Sequence, residues 1–208
     1  MSVLEVQARI AELQGLLNPQ PKAAPATISG APATAFQTQL NAAAGPWSAA
    51  GTGRVGIQSG GGTPAGQAIL NLARGEVGVT EQLPGSNDSP RIAQFRQATA
   101  GSGVGPWCAY FTSWAAREAG VPLGDAGQGF GRVDDVWAWA ERSGKAIPAA
   151  GAQPQPGDLI VWDEHIGVVE SVGADGTVNT IEGNSSDSVA RRSYGADGGG
   201  AIGYVRLG

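Results

Sequence analysis

The 208-residue sequence holds one cysteine, Cys108, and one histidine, His165. A single thiol forms no internal disulfide, and a single imidazole builds no multi-histidine zinc site. Together they suit a different chemistry. A thiolate attacks a carbonyl carbon, an imidazole within hydrogen-bond reach moves the proton, and a third polar group holds the ring in place. Glu182 and Asn184 follow His165 by 17 and 19 residues, a separation at which two ends of an antiparallel hairpin lie side by side. Taken alone, Cys108 reads equally well as a buried structural cysteine. With the histidine and the carboxylate behind it, the balance moves to catalysis.

These residues need elements to place them. Cys108 stands in Pro106-Trp107-Cys108-Ala109-Tyr110-Phe111-Thr112-Ser113-Trp114, at the expected first turn of a helix running to about Ala119 and stopped by Gly120. A helix N-terminus carries about half a positive charge and favours a thiolate there. Earlier helices are expected from Thr63-Pro64 toward Gly78 and from Ser89-Pro90 to about Ala98, each with a capping side chain before a first-turn proline. A fourth is expected over Val133–Arg142, where Asp134 and Asp135 complement the dipole. After the turn Gln153–Gly157, strands are expected at Asp158–Trp162, Ile166–Val172, Val178–Glu182 and Ala201–Leu207. Helices first and an antiparallel sheet second is an α+β fold.

The first third of the sequence reads differently. Ser2 and Glu5 form a capping box, and Val3, Val6, Ile10, Leu13 and Leu17 recur at helical spacing. Residues 1–17 are therefore expected as a short heptad-like helix that packs on its own domain or docks on a protein partner through residues 3–17. Residues 18–62, rich in Ala, Pro and Gly, read as a linker, and 63–208 as the catalytic domain. The net charge of −5 offers no basic field for a phosphate backbone, so nucleic acid is not an expected partner. No apolar run reaches the ~18 residues that span a bilayer, and no secretory signal is readable. Trp107, Trp114, Trp137, Trp139 and Trp162 could line a glycan-binding cleft, but aromatics at these spacings more often form core; Trp107, beside the cysteine, is also a candidate substrate contact. Gly60–Gly62 and Gly198–Gly200 read as flexible loops, because neither closes a strand and opens a helix as a phosphate-binding turn does.

Four motifs in order resemble the CHAP domain, a papain-like group of amidases and endopeptidases that act on peptidoglycan. They are Pro106-Trp107-Cys108-Ala109, Pro156-Gly157-Asp158-Leu159-Ile160, His165-Ile166-Gly167-Val168-Val169 and Ile181-Glu182-Gly183-Asn184. The resemblance spans about Pro64 to Leu207. It implies a papain-like fold with Cys108 as nucleophile, His165 as base and then acid, Glu182 as the carboxylate that orients the imidazole, and Asn184 as a further polar member. The loop Glu81–Asn87 resembles the cleft-bordering loop of the family, which makes Glu81 and Asn87 candidate substrate contacts. Some members bind calcium through an Asp-rich loop, but the residues around Asn87-Asp88 and 101–105 do not supply such ligands. No metal or other cofactor is expected.

The resemblance implies a peptidoglycan hydrolase acting on the stem peptide or cross-bridge, as an N-acetylmuramoyl-L-alanine amidase or as an endopeptidase. Two other classes stay open at this stage. One is a catalytically silent wall-binding or structural module, for which loss of Cys108 or His165 would be expected. The other is a cysteine hydrolase of a non-wall amide, since fold does not fix substrate. More loosely, the N-terminal segments resemble the heads of cell-wall hydrolases found with flagellar or secretion apparatus. That implies a cell-envelope or extracellular site reached without a readable signal, by non-Sec export or phage lysis, with a cytoplasmic stage before release.

Overall fold

The computed structural model describes residues 61–208, so the expected helix over 1–17 and all but the last two residues of the expected linker lie outside the described residues. Four helices come first: α1 (Pro64–Gly75), α2 (Pro90–Arg96), α3 (Cys108–Glu118) and α4 (Val133–Arg142). Six strands follow: β1 (Ala146–Pro148), β2 (Leu159–Val161), β3 (Ile166–Val172), β4 (Val178–Glu182), β5 (Ala190–Tyr194) and β6 (Gly203–Val205). The strands form one antiparallel sheet in the order β1-β6-β2-β3-β4-β5. This is the α+β architecture expected from the sequence.

Local chemistry sets the first two helix starts. Thr63 Oγ1 accepts from the Gly66 N–H with Pro64 in the first turn, and Ser89 Oγ accepts from the Ile92 N–H ahead of Pro90. α1 ends at Gly75, a turn earlier than the reach toward Gly78, and α2 ends at Arg96. β2 and β6 are shorter than expected. Asp158, placed in β2 by sequence, instead stands in the turn before it, where its buried carboxylate takes a two-pronged contact from Arg206.

The sheet is covered on both faces. Leu159, Val161, Ile166, Val168, Ile181 and Val205 pack with α1 to α4, while Ile160, Val169, Val178 and Tyr204 form a smaller cluster on the other face. Burial on both sides is why β2 reads as an unbroken apolar run with no alternation. β1 and β5 lie outside the strands expected from sequence. β1 is a three-residue edge, and β5, Ala-Arg-Arg-Ser-Tyr, is a polar opposite edge with no fully buried residue. Among the described residues no helix is long and apolar enough to cross a membrane.

Candidate active site

Cys108 opens α3, and this helix start differs from the two before it. Trp107 occupies the N-cap position, and no side chain caps the turn. The first-turn N–H groups and the positive end of the helix are thus left for whatever meets the sulfur. Cys108 is 4% exposed. It lies in a cleft of about 410 Å³ lined also by Pro106, Tyr110, Val133, Asp163 and Glu164.

His165 ends the turn between β2 and β3. Its Nε2 donates to Glu182 Oε2 at 2.9 Å, and Cys108 is the other group that acts on the ring to raise its proton affinity. With Nε2 engaged by the carboxylate, Nδ1 is the nitrogen left for sulfur. Burial pulls the imidazole pKa down, but its interaction with Cys108, its bond to Glu182 and the attraction of their charges outweigh it and raise the pKa to about 9. Glu182 is 1% exposed. Burial pushes its carboxyl pKa up, yet the hydrogen bonds from His165, Thr180 and Tyr194 hold it below the ordinary carboxylate value. At neutral pH the site therefore rests with an imidazolium between the sulfur and a carboxylate, the arrangement that readies a cysteine for attack.

Two glycines make this geometry reachable. The register that sets Val168 opposite Ile181 brings Gly167 opposite Glu182. A β-carbon on Gly167 would lie 2.7 Å from Glu182 Cγ, so the carboxylate crosses bare backbone to reach the ring two residues along. A β-carbon on Gly183 would lie 2.7 Å from Phe111 Cβ and 2.9 Å from the Trp107 ring. Its absence lets the end of β4 close on the first turn of α3, and so brings the carboxylate of Glu182 toward Cys108. Both glycines have backbone angles open to other residues; the missing side chain is what counts.

Asn184 follows with left-handed backbone, φ 56°, and is half-buried where the chain leaves β4. The imidazole is anchored by Glu182, two residues before it.

The three candidate substrate contacts do not line the cleft at Cys108. Trp107 is fully buried, stacked on Phe95 with centroids 6.1 Å apart, so it cannot touch substrate; its core reading holds and its reading as a substrate contact is corrected. Its indole N–H donates at 2.9 Å to Oε1 of Glu81, whose Oε2 accepts from the Asn87 N–H at 2.8 Å. Glu81, itself 7% exposed, is likewise corrected: its carboxylate holds the ring beside Cys108 and the turn of its own loop. Asn87 has a left-handed backbone at φ 55° and serves that turn.

Replacing Glu81 with Ala strands a buried indole N–H and a loop amide. We expect a loss of about 3 kcal/mol, since removing a charged acceptor costs more than removing a neutral one, and a fall in Tm of roughly 6–12 °C by calorimetry. Glu81→Gln, which keeps one acceptor, should lose about half as much. A Tm for Glu81→Ala within a degree of wild type would show that the indole finds another acceptor.

Sequence reasoning missed Thr180 and Tyr194 as neighbours of the site, and weighed Trp162 only as a cleft or core aromatic. Thr180 and Tyr194 donate to Glu182 Oε1, and Trp162 lies against the His165 ring with centroids 5.5 Å apart. Thr180 was within reach of a period-2 reading of β4, because it shares a face with Glu182. Among the described residues no group of three or more His, Cys, Asp or Glu side chains is placed to hold a metal ion.

Residues 99–184 match the family model of the CHAP domain. Among solved structures, the peptidoglycan hydrolase RipB from Mycobacterium tuberculosis is similar at 19% identity over 84% of this chain and 83% of that one, with a TM-score of 0.41. No curated protein matches the chain. The segment that carries Cys108, His165, Glu182 and Asn184 is thus the part of the chain that is similar to a CHAP domain.

Proposed function

We propose that the chain is a peptidoglycan hydrolase that cleaves an amide or peptide bond of the stem or cross-bridge with Cys108 as its nucleophile. The observation that carries this reading is the line from Cys108 at an uncapped helix start, through His165, to a buried Glu182, inside a CHAP-matching segment. The sulfur attacks the carbonyl carbon, and the Cys108 backbone N–H is positioned to donate to the oxyanion that forms. The imidazolium gives its proton to the departing amine, leaving a thioester. Water, deprotonated by the now neutral imidazole, then releases the acyl group and restores the starting state. Glu182 stays ionised throughout and keeps Nδ1 aimed at the sulfur. Asn184 is assigned as a further polar member at the same end of β4.

The test is digestion of purified peptidoglycan of several cross-bridge types with the full chain, followed by mass spectrometry of the soluble fragments. Free stem peptides with intact N-termini identify an amidase, and new termini within stem or bridge identify an endopeptidase. If no wall type is cut and the protein only sediments with the wall, the domain is a binding module. If it neither cuts nor sediments, the substrate lies outside peptidoglycan.

A further inference from the structure

Hydrolysis as written uses one oxygen of Glu182, and the structure spends hydroxyls on the other. Oε2 accepts from His165, while Oε1 accepts from Thr180 Oγ1 and from Tyr194 Oη at 2.9 Å. Thr180 is two residues away on the same face of β4 and is fully buried. Tyr194 reaches across from β5, the polar edge strand, whose register with β4 sets it on that face as well. Its ring lies against Trp162 with centroids 5.1 Å apart, and Trp162 in turn lies against the His165 ring. The indole is held from behind, donating to the Gly198 carbonyl at 2.9 Å.

This gives the Gly198–Gly200 run a use. All three glycines have left-handed backbone, and a β-carbon on Gly199 would lie 2.5 Å from the Tyr194 ring. The run is a tight turn that makes room for the tyrosine and presents a carbonyl to the tryptophan.

We infer that Tyr194 is a positioning residue of the hydrolytic site, fixing Glu182 through its hydroxyl and His165 through the Trp162 ring. The inference rests on the reading of His165 as the base. A carboxylate with both oxygens bonded cannot swing, so it offers the imidazole a single acceptor in a single direction. The phenol favours the ionised form of Glu182 by donating to it. The run of three tilted, touching rings restricts rotation of the imidazole away from the sulfur. The groups acting on the imidazole are Cys108 from α3 and Glu182 from β4, with Asp163 and Glu164 in the turn before it, Arg132 and Asp134 at the start of α4 lining the same cleft, and Arg192 acting on the Tyr194 phenol from β5.

His165 is the sole histidine, so its ring resonances are unambiguous and report both its own titration and that of the carboxylate it touches. The test is Tyr194→Phe in the full chain, which keeps the ring and removes the hydroxyl. We expect the Glu182 inflection in the His165 resonances to move up by about one pH unit, and kcat on soluble wall fragments to fall roughly tenfold with KM within about twofold. Thr180→Val, which removes the other hydroxyl at nearly constant volume, should move the inflection the same way, and it decides the question if Tyr194→Phe is poorly folded. Folded variants with an unchanged His165 titration curve would overturn the inference. The titration needs no substrate, so if wild type cuts no wall the proposed function fails while the positioning role is still decided.

Discussion

Cys108→Ala should release no wall fragments above background, a loss of at least about a thousandfold in kcat/KM, because no neighbouring group can replace the sulfur as nucleophile. The fold should persist. The side chain is 4% exposed and alanine leaves only a sulfur-sized gap, so the packing cost is on the order of 1 kcal/mol. A second readout separates loss of the nucleophile from loss of structure. The interaction with Cys108 is among the causes that lift His165 to about 9, so the imidazole pKa should fall in the alanine variant, visible by NMR on the sole histidine. Retained hydrolysis would remove Cys108 from the mechanism. An unchanged imidazole pKa would mean that the sulfur and the ring do not interact in the resting protein.

What the sequence made legible follows from how each residue is placed. Thr63-Pro64 and Ser89-Pro90 announce their helices because a cap and a proline act within one turn. Cys108 and His165 stand out because each is the only one of its kind, and Glu182 follows at hairpin distance with strand boundaries that the structure reproduces. Tyr194 carried no such mark. It sits on a strand whose other residues are Ala, Arg, Arg and Ser, and its role exists only once β5 pairs with β4. Glu81, and Trp107 as a substrate contact, mislead for the complementary reason. A carboxylate and an indole near a nucleophile suggest ligand contacts, but here they satisfy each other in the core. The motif glycines, visible as letters, gained a physical meaning only from the 2.7 Å approaches at Gly167 and Gly183.

Glu182→Gln should cost about a thousandfold in kcat/KM although it changes one atom. Two hydroxyl donors point at Oε1, so a glutamine side chain sets its carbonyl oxygen toward Thr180 and Tyr194 and its amide nitrogen toward the imidazole. Nε2 must then accept, which puts the ring proton on Nδ1 facing the sulfur, the tautomer that cannot take a proton from it. The variant should also shift pH dependence in a defined direction. His165 is raised to about 9 from 6.5. Its contribution to stability is therefore complete below about pH 6.5 and fades as pH climbs through about 9. Glu182 is lowered from 4.5, so its contribution is present above pH 4.5 and is lost only as pH falls through its lower folded value. The pair thus supports the fold most between these limits. Wild type should lose activity on an alkaline limb near pH 9, as the imidazole gives up the proton that the leaving amine needs. With the carboxylate charge gone, the alkaline limb of the residual activity should move to lower pH, and the Tm advantage of wild type over the variant should narrow as pH rises from 6.5 past 9. Coincident alkaline limbs in the two proteins would mean that Glu182 does not set the proton affinity of His165.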